Sequence, residues 1–143
     1  MKTKTIVLSI VAMMGMALGV AAQAQVAVIV GAKSAVGAMT ADQVASVFLG
    51  KSNTLPNGAT AQAADQPESA AVRELFYTKV TGKQAAQVKA AWSRLVFSGK
   101  ATPPKELGSS AEVKKFVASN PDAIGYIEKS AVDGTVKAVL TVD

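Results

Sequence analysis

Between Pro67 and Gly99 the chain reads PESAAVRELFYTKVTGKQAAQVKAAWSRLVFSG, two amphipathic helices punctuated by Thr81-Gly82. Val72, Leu75, Phe76 and Val80 fall at helical spacing and form one apolar stripe. Val88, Ala91, Trp92, Leu95 and Val96 form a second stripe, which carries the single tryptophan of the chain. Pro67 suits a first helical position because it has no N–H to leave unpaired there. Gly82 and Gly99 supply the stops. A helical hairpin of this kind has apolar faces that must cover something flat, and the short β-like runs on either side of it supply that surface.

Val26 to Val30 (VAVIV) is a continuous apolar run and predicts a strand buried on both faces. Thr40 opens a helix as N-cap, with Gln43 three residues on to complete a capping box. Val44, Val47 and Phe48 are its buried stripe, and Gly50 ends it. Asn57-Gly58 is the strongest turn signal in the chain. Thr60 to Ala64 reads as a second strand leading into the hairpin. Ala101 to Ser109, with Pro103-Pro104, reads as an extended loop. Ser109 or Ser110 caps a further helix faced by Val113, Phe116 and Val117, which Asn120-Pro121 stops. Ala123 to Ile127 (AIGYI) is strand-like, and its internal Gly125 marks a close backbone approach. Val136 to Val142 alternates as a last strand. The order β-α-β-α-α-α-β-β gives an α/β fold, a small mixed β-sheet covered by helices.

The chain has 143 residues, and the first 24 have a separate reading. Lys2 and Lys4, an apolar run from Ile6 to Val20 and the ending Ala22-Gln23-Ala24 make a Sec-type signal peptide. The run is too short and too glycine-broken for a membrane span of about 20 residues. Its rival is an uncleaved anchor. Cleavage after Ala24 leaves residues 25–143 as one domain, with no stable membrane anchor and a periplasmic destination. The absence of cysteine excludes disulfides, thiolate metal sites and a lipid-modified cysteine.

Without Lys2 and Lys4, 13 basic residues stand against 10 acidic ones, a net charge of +3. The basic residues are scattered, so the concentrated footprint that nucleic-acid binding needs is missing. With neither histidine nor cysteine, Ser-His and Cys-His nucleophiles cannot form, nor can ordinary zinc sites. The carboxylates show no paired spacing for acid–base work. The chain reads as a non-enzyme without a metal or other cofactor. Gly31 to Gly37 lacks the GxxxxGK[ST] order and is an ordinary glycine loop.

The candidate site is the entry to the hairpin. Asp65-Gln66-Pro67-Glu68-Ser69 leads from a strand into a helix that carries Arg73. Free N–H groups at a helix start attract anions, and a serine hydroxyl and an arginine add to that. The anion-binding candidates are Ser69, Ala70, Ala71, Arg73 and Asp65. The same residues also suit a plain helix cap: Asp65 or Gln66 capping, Glu68 complementing the dipole and Arg73 paired with a surface carboxylate.

Taken in order, Val26–Val30, Thr40 to Lys51 (TADQVASVFLGK), Asn57-Gly58, Ser69 with Arg73 and Phe76, Trp92 followed by Phe97-Ser98-Gly99, Pro103-Pro104 and Ala123 to Tyr126 form a series. The series resembles phosphate ABC transporter substrate-binding proteins, in particular their short, single-lobe relatives, over almost all of residues 25–143. The resemblance implies a single lobe of a periplasmic-binding-protein-like fold in the bacterial envelope. It also implies phosphate or a similar small oxyanion as ligand, and an ABC permease or another envelope protein as partner. In the family an Arg-x-Asp-Gly-Ser-Gly-Thr stretch holds the anion. Here Asp65 and Ser69 match it, Ala70 and Ala71 replace the glycine and threonine, and the leading arginine has no counterpart. Two functions follow: a small-anion binding protein, or an envelope adaptor that keeps the fold without the ligand.

Overall fold

A computed structural model describes residues 25–143, so the expected signal peptide and its cleavage lie outside the described residues. Five strands form one sheet in the order β3-β2-β4-β1-β5. They are β1 (Val26–Gly31), β2 (Gln62–Asp65), β3 (Lys105–Glu106), β4 (Ala123–Glu128) and β5 (Val136–Val142). The helices are α1 (Ala41–Phe48), α2 (Ala71–Phe76), α3 (Ala85–Phe97) and α4 (Ser110–Ser119). β2 runs parallel to β3 and β4, while β1 runs antiparallel to both β4 and β5, so the sheet is mixed.

The run VAVIV is apolar throughout because β1 is an interior strand covered on both faces. Val26, Val28 and Val30 pack with Val44, Phe48, Phe76 and Val88 on the side of α1, α2 and α3. Ala27 and Ile29 pack with Val113 and Val117 of α4 on the other side. Gly125 of β4 permits the close approach of α4: a Cβ there would lie 2.6 Å from Val113 Cγ1. The β1–β5 register shifts between Val28 and Ile29, and Val139, the extra residue of the bulge, accepts the Met39 amide 2.9 Å away. That bond ties down the loop from Ala32 to Thr40. The capping box at Thr40 forms as the sequence predicts, with Thr40 Oγ1 accepting the Gln43 amide and Gln43 Oε1 accepting the Thr40 amide.

The hairpin departs from expectation in four ways. Its first helix starts at Ala71, not Pro67; Ala70 is the N-cap and makes no side-chain cap bond, so neither Asp65 nor Gln66 caps it. The helix then widens into a π-helical turn, Tyr77–Thr81, before Gly82 ends it at φ +72°. Trp92 is half-buried at the edge of the core, where its indole N–H donates to the Phe48 carbonyl at 2.7 Å. Val96 is exposed and not part of the buried stripe, as is Phe97 beside it at the end of α3. Outside the hairpin, the Ala101–Ser109 loop contains β3, a two-residue edge strand that pairs with Ala64 and Asp65.

Candidate functional site

Asp65 is the last residue of β2, and strand alternation sends Ala64 to the α4 face and Asp65 to the opposite one. There its carboxylate is buried beneath α2. Tyr77 Oη donates to Oδ2 at 2.5 Å, Tyr126 Oη donates to Oδ1, and the Gln66 amide donates to Oδ1 at 2.8 Å. Arg73 Nε approaches Oδ1 at 3.5 Å, an ion pair with both side chains 11 % exposed. Arg73 and Tyr77 reach the same carboxylate because four residues along a helix return to one face. The guanidinium also lies over the Tyr77 ring, 5.5 Å from its centroid.

The electrostatics follow from burial. Both phenols are pushed far above the usual tyrosine range, first by burial and then by the adjacent Asp65 charge. Both therefore stay protonated and act as donors. Arg73 is less well served: its Nε–H is buried and has no hydrogen-bond acceptor among the described residues. A buried donor left unpaired is costly and calls for an explanation.

Around this pair the carboxyl ends of β2 and β3 send the chain to opposite faces of the sheet, toward α2 and α4. Ligands of open α/β sheets gather at such switch points. Gln66 bridges the two sides, its Nε2 donating to the Tyr126 carbonyl at 2.9 Å and to Ser110 Oγ at 3.0 Å. Ser110 Oγ in turn donates to Glu128.

Of the residues singled out from the sequence, Asp65 and Arg73 are brought together. Ser69, Ala70 and Ala71 lie just above them where the chain enters α2, with Ser69 and Ala71 exposed. The Ala70 amide is taken by the Pro67 carbonyl at 2.9 Å. Glu68 lies ahead of the helix and not in its first turn; it pairs with Lys89 of α3, which lowers its pKa through that hydrogen bond. Arg73 pairs with a carboxylate, but a buried one, not a surface one. Sequence reasoning gave Gln66 only a capping role and missed Tyr77 and Tyr126. The spacing from Arg73 to Tyr77 was a signal for the first of these; nothing local pointed to Tyr126. Among the described residues no cluster of carboxylates is arranged to hold a metal ion.

This fold is that of a single lobe of the periplasmic binding proteins. A Clostridium perfringens protein assigned as a phosphate ABC transporter substrate-binding protein, solved with bound phosphate, superposes with a TM-score of 0.66 at 24 % identity, covering 81 % of this chain and 45 % of its own. An ABC-type phosphate transport receptor from Vibrio cholerae gives 0.64 at 18 % identity, covering 81 % and 47 %. PstS from Borrelia burgdorferi gives 0.57 at 14 % identity, covering 79 % and 46 %. The chain thus spans about half the length of these structures. No family model and no curated protein matches it. The likeness expected from the sequence series is the one that the structural neighbours display.

Proposed function

We propose that this protein is an exported, periplasmic binding protein for a small oxyanion of the phosphate type, working with an ABC permease, and that its site is the entry to α2. The observation that carries the reading is the buried Arg73 Nε–H, held 3.5 Å from its counter-ion with no acceptor of its own among the described residues. It stands at the carboxyl end of β2 in a fold whose neighbours include a phosphate-bound protein. In this reading Ser69 donates its hydroxyl, the amides of Ser69 and Ala71 face the anion and Arg73 supplies charge. Asp65 fixes the guanidinium and does not touch the ligand, because donors already occupy both its oxygens. Asp65 and Glu68 both oppose a second negative charge, so affinity is weak, roughly millimolar, worth about 4 kcal/mol.

The second reading, an envelope adaptor without ligand, is favoured by one observation. Phe97 is 96 % exposed and Val96 48 % exposed at the end of α3. Phosphate titration followed by amide shifts separates the two. Anion binding shifts residues 66–73, is abolished by Arg73→Ala and is strengthened by Glu68→Gln, an exposed substitution that leaves the core intact. Unshifted amides at tens of millimolar phosphate, or no effect of Glu68→Gln, leave the adaptor reading in place.

A further inference from the structure

The end of β2 away from Asp65 borders a cleft of about 740 Å3. Its walls are the end of α1 with the turn at residues 50–53, the start of β2, and the segment 100–105. The apolar surface comes from Val47, Ala61, Ala63, Trp92, Pro104 and Phe116. Among the described residues the titratable side chains on the walls are Lys51, Lys100 and Lys105, all exposed, and no carboxylate lines the cleft. The ion pairs formed among the described residues involve none of these three lysines. Lys105 lies instead over the Phe116 ring, 5.2 Å from its centroid.

The tryptophan wall is built and held. The Trp92 indole N–H is fixed on the Phe48 carbonyl. Gly50, at φ +75°, lets the chain pass so close that a Cβ there would lie 2.7 Å from Leu95 Cδ1 and 3.0 Å from Trp92 Cη2. The volume falls in the range of small-molecule sites, about 300–1,000 Å3. A bare inorganic anion would gain only exposed, salt-screened attraction from the lysines. An uncharged ring would gain only the apolar walls. An organic anion gains both, because walls of low dielectric that carry one sign of charge focus the field onto it.

We propose that this cleft is a second binding site, for a small organic anion with a flat apolar body, of the aromatic carboxylate class. It is independent of the oxyanion reading at Arg73. The test uses the purified protein and three probes of one shape: 2-naphthoate, neutral 2-naphthamide and the 2-naphthylmethylammonium cation. Naphthoate shifts the amides of residues 50–53, 60–63 and 100–105 together with the Trp92 indole N–H. It binds about tenfold tighter than the amide, and the cation binds more weakly than either. Lys51→Gln combined with Lys100→Gln, both exposed positions, removes most of the preference for naphthoate over the amide while the rest of the spectrum stays in place. Naphthoate leaves the amides of residues 66–73 unshifted, which keeps this site distinct from the phosphate titration there. Equal binding of naphthoate and naphthamide overturns the proposal, as do shifts scattered outside the cleft, a preference that survives the double lysine substitution, or no shift at about 10 mM.

Discussion

Arg73 and Asp65 form a buried ion pair in which the guanidinium Nε stands 3.5 Å from Oδ1 without a hydrogen bond between them. The carboxylate instead accepts from two tyrosine hydroxyls and the Gln66 backbone amide. Both Asp65 oxygens therefore have donors, whereas the Arg73 Nε–H has no acceptor among the described residues. Substitutions at the two positions should have unequal consequences.

Asp65→Asn removes the only counter-ion paired with Arg73 among the described residues and gives the two phenols an amide to bond. It should cost about 3–5 kcal/mol, the usual penalty for stranding a buried charge. Arg73→Met keeps the volume, leaves Asp65 its three donors and should cost less. The double variant should be more stable than the sum of the two losses implies. Urea unfolding of the four proteins measures this coupling. Strictly additive losses would show that the pair does not interact.

The chain has two tyrosines, and both are donors to Asp65. Absorbance near 295 nm should therefore show no tyrosinate around pH 10, where free phenols titrate. Folding holds these protons above the pH at which the unfolded chain releases them. Their contribution to stability is thus complete below about pH 10 and declines above it by about 1.4 kcal/mol per tyrosine per pH unit. Tyrosinate should appear together with loss of structure by circular dichroism. Reversible ionisation near pH 10 in the folded protein would show that the hydroxyls are accessible.

Gly125→Ala should destabilise the protein by about 1–3 kcal/mol through overpacking, since its methyl would meet Val113 Cγ1 and Val117 Cγ2. Adding Val113→Ala to Gly125→Ala should recover part of the loss, because it removes the nearer of the two clashes. An unfolding midpoint for Gly125→Ala equal to that of the parent would mean that α4 sits farther from β4.

Trp92→Phe keeps most of the apolar contact and removes the indole bond to the Phe48 carbonyl. The expected loss is about 1 kcal/mol, that of one hydrogen bond at a partly exposed site. A loss of several kcal/mol by thermal or urea unfolding would place the indole in the core proper.

Much of the fold was legible locally. β1 could be read as a doubly covered strand because no polar residue interrupts VAVIV. α1 was readable because its N-cap, capping box and stripe lie within nine residues. Gly125 was readable as a close approach because a glycine inside a strand-like run has little other use. The start of α2 was misplaced because Pro67 at a first helical position is a local preference. The chain instead turns at Pro67, with the Ala70 amide on its carbonyl, before the helix begins. The two-residue β3 had no periodicity from which to be read.

The sequence by itself determined that residues 25–143 make alternating strands and helices with apolar faces. It also determined that a charged, hydroxyl-bearing turn with Arg73 and Asp65 leads into the hairpin. Only the tertiary structure decided what that turn is. Tyr126 lies 61 residues from Asp65 and reaches it solely because β4 pairs with β2. Trp92 and Lys105 share a cleft with Lys51 solely because α3 and the segment after it fold back on the start of β2. Periodicity and capping act over a few residues and show in the chain as written. The environment of a buried charge depends on which distant strands become neighbours, and that is settled when the two faces of the sheet are covered.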